Sequence, residues 1–161
     1  MGRCASATVA FGVDLGNPEY GEWNFELTDG VYLEPPEWDD LLAEFAGWDE
    51  VELPYSRERG SPEDAAWSKQ RARRRAAMTE AGVSQGHYGY EYAGQYLSVG
   101  GSGQTVDYGC EPLESMGGRL ATPPWFDVYR LECFIEFLDT KGLVLKGEYR
   151  QPRWLLMASY G

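Results

Sequence analysis

Histidine, cysteine and, across the first third of the chain, any cationic side chain are scarce in this sequence of 161 residues. His87 is the single histidine, and Cys4, Cys110 and Cys133 are widely spaced with no CxxC pair. A nitrogen- and sulfur-ligated metal site needs such residues clustered, so nothing here calls for a metal. Three unpaired, spaced cysteines read as reduced thiols, which suits a cytoplasmic protein. No stretch approaches the ~20 apolar residues of a membrane span. The opening MGRCASATVAFG lacks the long apolar region of a secretory signal.

Catalytic signatures are missing as well. Tyr96 stands where a nucleophile elbow ending at Ser98 and Gly100 would need its first glycine. The GGSG run at 100–103 is followed by a strand-like segment and no Lys-Ser/Thr pair, so it reads as a turn, not a phosphate loop. Glu91, Asp107, Glu111 and Glu114 could supply an acid/base pair, but scattered surface acids are expected in so acidic a chain. No cofactor is implied, and the sequence leans away from an enzyme.

What the chain has is aromatic residues and acid. Eleven Tyr, six Trp and six Phe favour a packed domain, and the length suits one domain over 1–161. The net charge is −12, and thirteen acids with no Lys or Arg fall between Cys4 and Ser56. Seven bases against three acids follow in 57–75, including RARRRAA at 71–77.

Periodicity supplies the elements. Ala7, Val9, Phe11 and Val13 alternate along a first strand over 5–15. Residues 17–60 read as an acidic insertion. It holds a hairpin, with Trp23, Phe25 and Leu27 alternating before a turn at Asp29-Gly30, and a short helix led by Pro35-Pro36, with Trp38, Leu41, Leu42 and Phe45 at helical spacing. Ser61 and Pro62 open a second helix that runs to Gly82. Tyr88, Tyr90, Tyr92 and Tyr96 alternate along a central strand. GGSG should turn that strand back into Gln104–Cys110 as an antiparallel partner. Thr122-Pro123 begins a core helix carrying Val128, Leu131, Phe134, Ile135 and Leu138, and Arg153–Tyr160 forms a closing apolar strand. The expected fold is α+β: a two-layer domain with an antiparallel or mixed sheet and helices on one face, in a ferredoxin-like βαββαβ order.

Single-sign acidic surface repels nucleic acid and attracts basic partners. Glu34, Glu37, Asp39, Asp40, Glu44, Asp49 and Glu50 are therefore the expected partner-binding residues, with simple solubility as the competing explanation. One arginine-rich turn in so acidic a domain is a weak nucleic-acid footprint. Its arginines more plausibly pair with the acidic third, within one chain or between two copies, which leaves a homodimer open. Tyr90, Tyr92 and Tyr96 are candidate ligand-facing residues if the protein is instead a small enzyme or ligand-binding domain. A minor structural or assembly role is the third possibility.

The segments CASATVAFGVDLG, YAGQYLSVGGS and PRWLLMASYG resemble a loose set of small uncharacterised proteins encoded by phages of high-GC Gram-positive bacteria. The resemblance rests on Phe11, Gly12, Asp14, Leu15 and Gly16 near one end, and Trp154, Leu155, Ser159, Tyr160 and Gly161 at the other. It implies an accessory protein acting in the host cytoplasm. With the charge pattern, this gives the expected function: non-catalytic binding and inhibition of a host protein with a basic surface, such as a nucleic-acid-binding or defence factor. Neither direct nucleic-acid contact nor membrane contact is expected.

Overall fold

A computed structural model describes residues 5–27, 33–55, 58–91, 93–107 and 122–160. The chain is α+β, and it divides into two compact units, Met1–Pro35 with Gly82–Gly161, and Pro36–Ala81.

The first unit is built on β1 (Ala5–Asn17), whose thirteen residues reach past two successive neighbours on each edge. On one edge, Ala5–Gly12 pairs antiparallel with β6 (Arg153–Tyr160), and Gly16-Asn17 then pairs with the short β2 (Glu22–Trp23). On the other edge, Gly12–Gly16 pairs with β4 (Gly94–Val99), and Ser6–Val9 with β5 (Gln104–Asp107). β3 (Val83–Tyr90) pairs antiparallel with β4. The order β6-β1-β4-β3 is the one a split βαββαβ chain produces. The sheet coils until its outer strands meet, and Gly89 and Tyr90 pair parallel with Ser159 and Tyr160.

The central strands differ from the sequence expectation. Residues 88–98 are not one strand: the chain reverses at 90–93, where Ala93 N–H donates to the Tyr90 carbonyl at 3.2 Å and Glu91 takes a left-handed φ of 51°. The hairpin is thus β3–β4. The GGSG segment is no hairpin either, because β4 and β5 both run antiparallel to β1 along the same edge. It is a jog between two strands that share a line. Ser102 pins it, its Oγ donating to the Val99 carbonyl (2.7 Å) and accepting the Phe11 N–H (3.2 Å).

Alternation gives the sheet two buried faces. On one, Ala10, Tyr96, Leu155 and Met157 form a cluster with Tyr88 packed against it. Both rings need room taken from the backbone opposite. A Cβ on Gly86 would stand 2.3 Å from Tyr96 Cζ, and one on Gly94 would stand 2.6 Å from a Tyr88 ring carbon. The other face, carrying Leu97 and Val99, lies towards α3 (Trp125–Thr140), which runs against β4 and β3. Leu131, Phe134, Ile135 and Leu138 of α3 are buried, as their spacing anticipates. Burying each such side chain stabilises by about 1.5–3 kcal/mol. Thr122 does not cap this helix; Pro124 holds the N-cap position with no side-chain cap bond. After α3, residues 144–146 hydrogen-bond to 24–26, which brings Leu145 opposite Phe25 and buries both. Arg150 then clamps Asp139 with paired contacts of 2.8 and 2.7 Å. The expected return strand after Asp29-Gly30 falls largely outside the described residues, as do Cys4, Cys110 and the loop 113–121.

The second unit holds α1 (Trp38–Phe45) and α2 (Pro62–Glu80). Ser61 caps α2 as expected, its Oγ accepting the Asp64 N–H at 3.1 Å, and Pro62 takes the first helical position. Gln70 is buried on α2 and grips the segment before it. Its amide donates to the Val51 carbonyl, and its Oε1 accepts the Leu53 N–H, both at 2.8 Å.

Candidate functional sites

The acidic residues come first, because the sequence singles them out. Glu37, Asp39, Asp40, Glu44, Asp49 and Glu50 are all exposed in the second unit, and Glu34 is exposed in the first. Two of them, Asp40 and Glu50, are paired with arginines. Arg73 bonds Glu50 at 2.8 Å, while Arg74 bonds Asp40 and lies 3.7 Å from Glu52. Arg71 stacks on Trp67, with 4.9 Å to the ring centroid, and Arg73 reaches over Trp48. Arg73 and Arg74 of the run are therefore engaged with the acidic third of their own chain, one of the pairings the composition suggested. A cleft of about 200 Å³ between these helices is lined by both signs, Asp40, Glu50, Glu52 and Arg74 among them. Exposed pairs of this kind contribute at most ~1 kcal/mol each, so they shape the surface more than they hold the fold.

The tyrosines separate. Tyr96 is buried, and its ring fills the sheet interior beside Tyr88. Burial holds its hydroxyl above the ordinary phenol range. Tyr90 is about half exposed, and a hydrogen bond to Glu91 raises its hydroxyl. Tyr92 lies outside the described residues. The polar contact that matters on this face is one the sequence did not suggest. Tyr88 Oη donates to Asp14 Oδ1 at 2.6 Å, and the same oxygen accepts the Gly16 N–H at 2.9 Å. Burial first, and then the Asp14 bond and charge, push the Tyr88 hydroxyl well above its usual range, so it stays a donor at any physiological pH. A cleft of about 290 Å³ opens here, lined by Asp14, Tyr88 and the run Trp154–Ala158.

A third feature is the outward side of α3. Trp125 is 79% exposed, Phe126 49% and Tyr129 57%. At ~100° per residue these three fall within an arc of roughly 100°, opposite the buried Leu131, Phe134, Ile135 and Leu138. The Trp125 and Phe126 rings meet edge-on with centroids 6.1 Å apart. Glu132 and Glu136 are exposed beside them, and the Tyr129 hydroxyl is raised by a bond to Cys133 and then by those two charges. Large aromatics held in water by a rigid helix are the residues from which interface anchors are made. Helical spacing alone could have exposed this arc, since it lies opposite the core stripe.

His87 is exposed and lies 3.3 Å from the Gln85 amide; Cys133 is a free thiol. Among the described residues no group of three or more His, Cys, Asp or Glu is placed to hold a metal ion, and no helix is long and apolar enough to cross a membrane. No protein-family model, no curated protein and no solved structure matches the chain.

Proposed function

We propose that this is a non-catalytic binding protein that engages and inhibits a basic host protein, with the outer face of α3 as its anchor. The observation that carries this reading is the exposed Trp125, Phe126 and Tyr129 beside Glu132 and Glu136. Aromatic anchors supply contact area at low entropy cost, and a carboxylate border selects a partner with Lys or Arg around an apolar groove. The same carboxylates oppose self-association of two α3 faces. The chain's net charge of −12 adds long-range steering towards such a partner. The resemblance of the terminal motifs to those of small phage proteins is in keeping with an accessory role in a host cytoplasm.

The test compares the parent with W125A/Y129A and E132K/E136K as baits in a bacterial host lysate, with bound proteins quantified at low and high salt. All four positions are exposed, so folding should survive. The aromatic variant should lose its basic partners at least tenfold at either salt. The charge variant should lose them mainly at low salt, through the association rate. Unchanged recovery in both variants would refute the reading, and a parent dimer that W125A/Y129A converts to monomer would assign the face to self-association.

A further inference from the structure

The cleft beside Asp14 is lined by five successive residues of β6, Trp154 to Ala158. Side chains of successive strand residues point to opposite faces, so one cleft can meet all five only along the strand's edge. One edge of β6 is taken by β1 over the whole strand. Among the described residues, the other edge meets β3 only at Ser159 and Tyr160, so the two strands diverge from that junction. Every second residue along the diverging stretch presents its N–H and C=O away from β1. At about 3.4 Å per residue the five residues span roughly 17 Å, room for an extended segment of similar length.

The occupant is chosen by charge. Asp14 Oδ1 is satisfied by Tyr88 and Gly16, while Oδ2 takes no donor and the carboxylate no ion pair among the described residues. The negative charges of Asp14 and Glu22 both act on Tyr88, while the rest of the cleft is aromatic and apolar. We propose that this edge accepts an extended polypeptide segment by strand addition, with a Lys or Arg side chain of that segment reaching the Asp14 carboxylate. Backbone pairing with β6 supplies affinity, and Asp14 with the Tyr88 ring selects a cationic side chain with an apolar stem. The site runs along the β6 edge, and no residue of α3 lines the cleft, so W125A/Y129A should bind the segment as the parent does.

The probes are acetyl- and amide-capped heptapeptides of alternating valine and threonine with a central lysine, norleucine or glutamate. They are titrated into the full chain while backbone amide resonances are followed by NMR. The lysine peptide should shift the amides of residues 154–158 and bind at least tenfold more tightly than the norleucine peptide, with the glutamate peptide weakest. Asp14→Asn can still accept from Tyr88 and Gly16 but carries no charge, so it should abolish the lysine preference. N-methylating alternate amides should weaken binding about tenfold. N-acetyl-lysine methylamide alone should not saturate the cleft at these concentrations. Absence of shifts at 154–158 with every peptide overturns the proposal. So does equal affinity for the single lysine derivative, which would make the cleft an amine pocket, or concentration-dependent dimerisation through β6 that the peptides do not compete.

Discussion

The interior of the coiled sheet rests on an exchange between glycine and tyrosine that a single methyl group can test. In Gly86→Ala the new Cβ would stand 2.3 Å from Tyr96 Cζ, 2.4 Å from its hydroxyl oxygen and 2.6 Å from Cε1, where ordinary contact begins near 3.4 Å. The ring must retreat by about 1 Å. It cannot swing into water cheaply, because Tyr96 is 9% exposed and packs with Ala10, Leu155 and Met157. Overpacking of this kind costs about 1–3 kcal/mol, and the lower unfolded-chain entropy of alanine returns ~0.4–1 kcal/mol. A net loss of about 1–2 kcal/mol should lower Tm by roughly 3–8 °C in a chain of this size. Tyr96→Leu removes the obstructing ring, so in that background Gly86→Ala should cost nothing or stabilise slightly. Urea melts of the four proteins close a double-mutant cycle, with an expected coupling of about 1–3 kcal/mol. Two changes that add to within ~0.5 kcal/mol would refute the interlock, as would a Gly86→Ala protein melting with the parent.

Asp139 sits below the usual carboxylate range because Arg150 bonds it, and both side chains are about one-third exposed. Asp139→Asn should therefore cost only ~1 kcal/mol near neutral pH; the gap should close as pH falls below about 4, through the lowered native value, and a gap that persists at pH 2 would contradict the assignment. Deleting Leu155–Gly161 removes most of the β1 pairing and two interior side chains, so several kcal/mol should be lost; a Tm within 2 °C of the parent would show that β6 is dispensable. Gln70→Leu leaves the Leu53 amide without its acceptor, so chymotrypsin should cut after Tyr55 much faster than in the parent, with unchanged cleavage counting against the clamp.

Much of the fold was legible because the elements announce themselves within a few residues. Ser61-Pro62 starts α2, the 3.6-residue stripe marks the buried side of α3, and the apolar run Arg153–Tyr160 becomes β6 in full. The central strands misled through parity. Tyr88 and Tyr96 do share a face, with centroids 6.4 Å apart, but on neighbouring strands. The short reversal between β3 and β4 leaves both tyrosines at even positions, so the alternation reads as unbroken through the turn. The left-handed backbone at Glu91 marks the break, and a glutamate carries no signal for it. GGSG was misread for a related reason. Glycines announce a change of direction, while whether the chain reverses or jogs depends on which strand lies alongside.

The functional surfaces followed the same division between local and distant information. The pairing of Arg73 and Arg74 with the acidic third was readable from composition, since opposite charge in adjacent segments needs no topology to meet. Its consequence for function was not readable. Every carboxylate held by an arginine is one that cannot offer its full charge to a partner, so the acid density of the sequence overstates the field of the folded surface. Asp14 runs the other way. In the sequence it is one acid of thirteen in an acidic stretch, and it is distinguished only by Tyr88, which lies 74 residues away. Sequence charge counts what is present; the fold decides which charge remains available, and on this chain available charge lies beside exposed aromatic rings and a strand edge that, among the described residues, β3 meets only at its end.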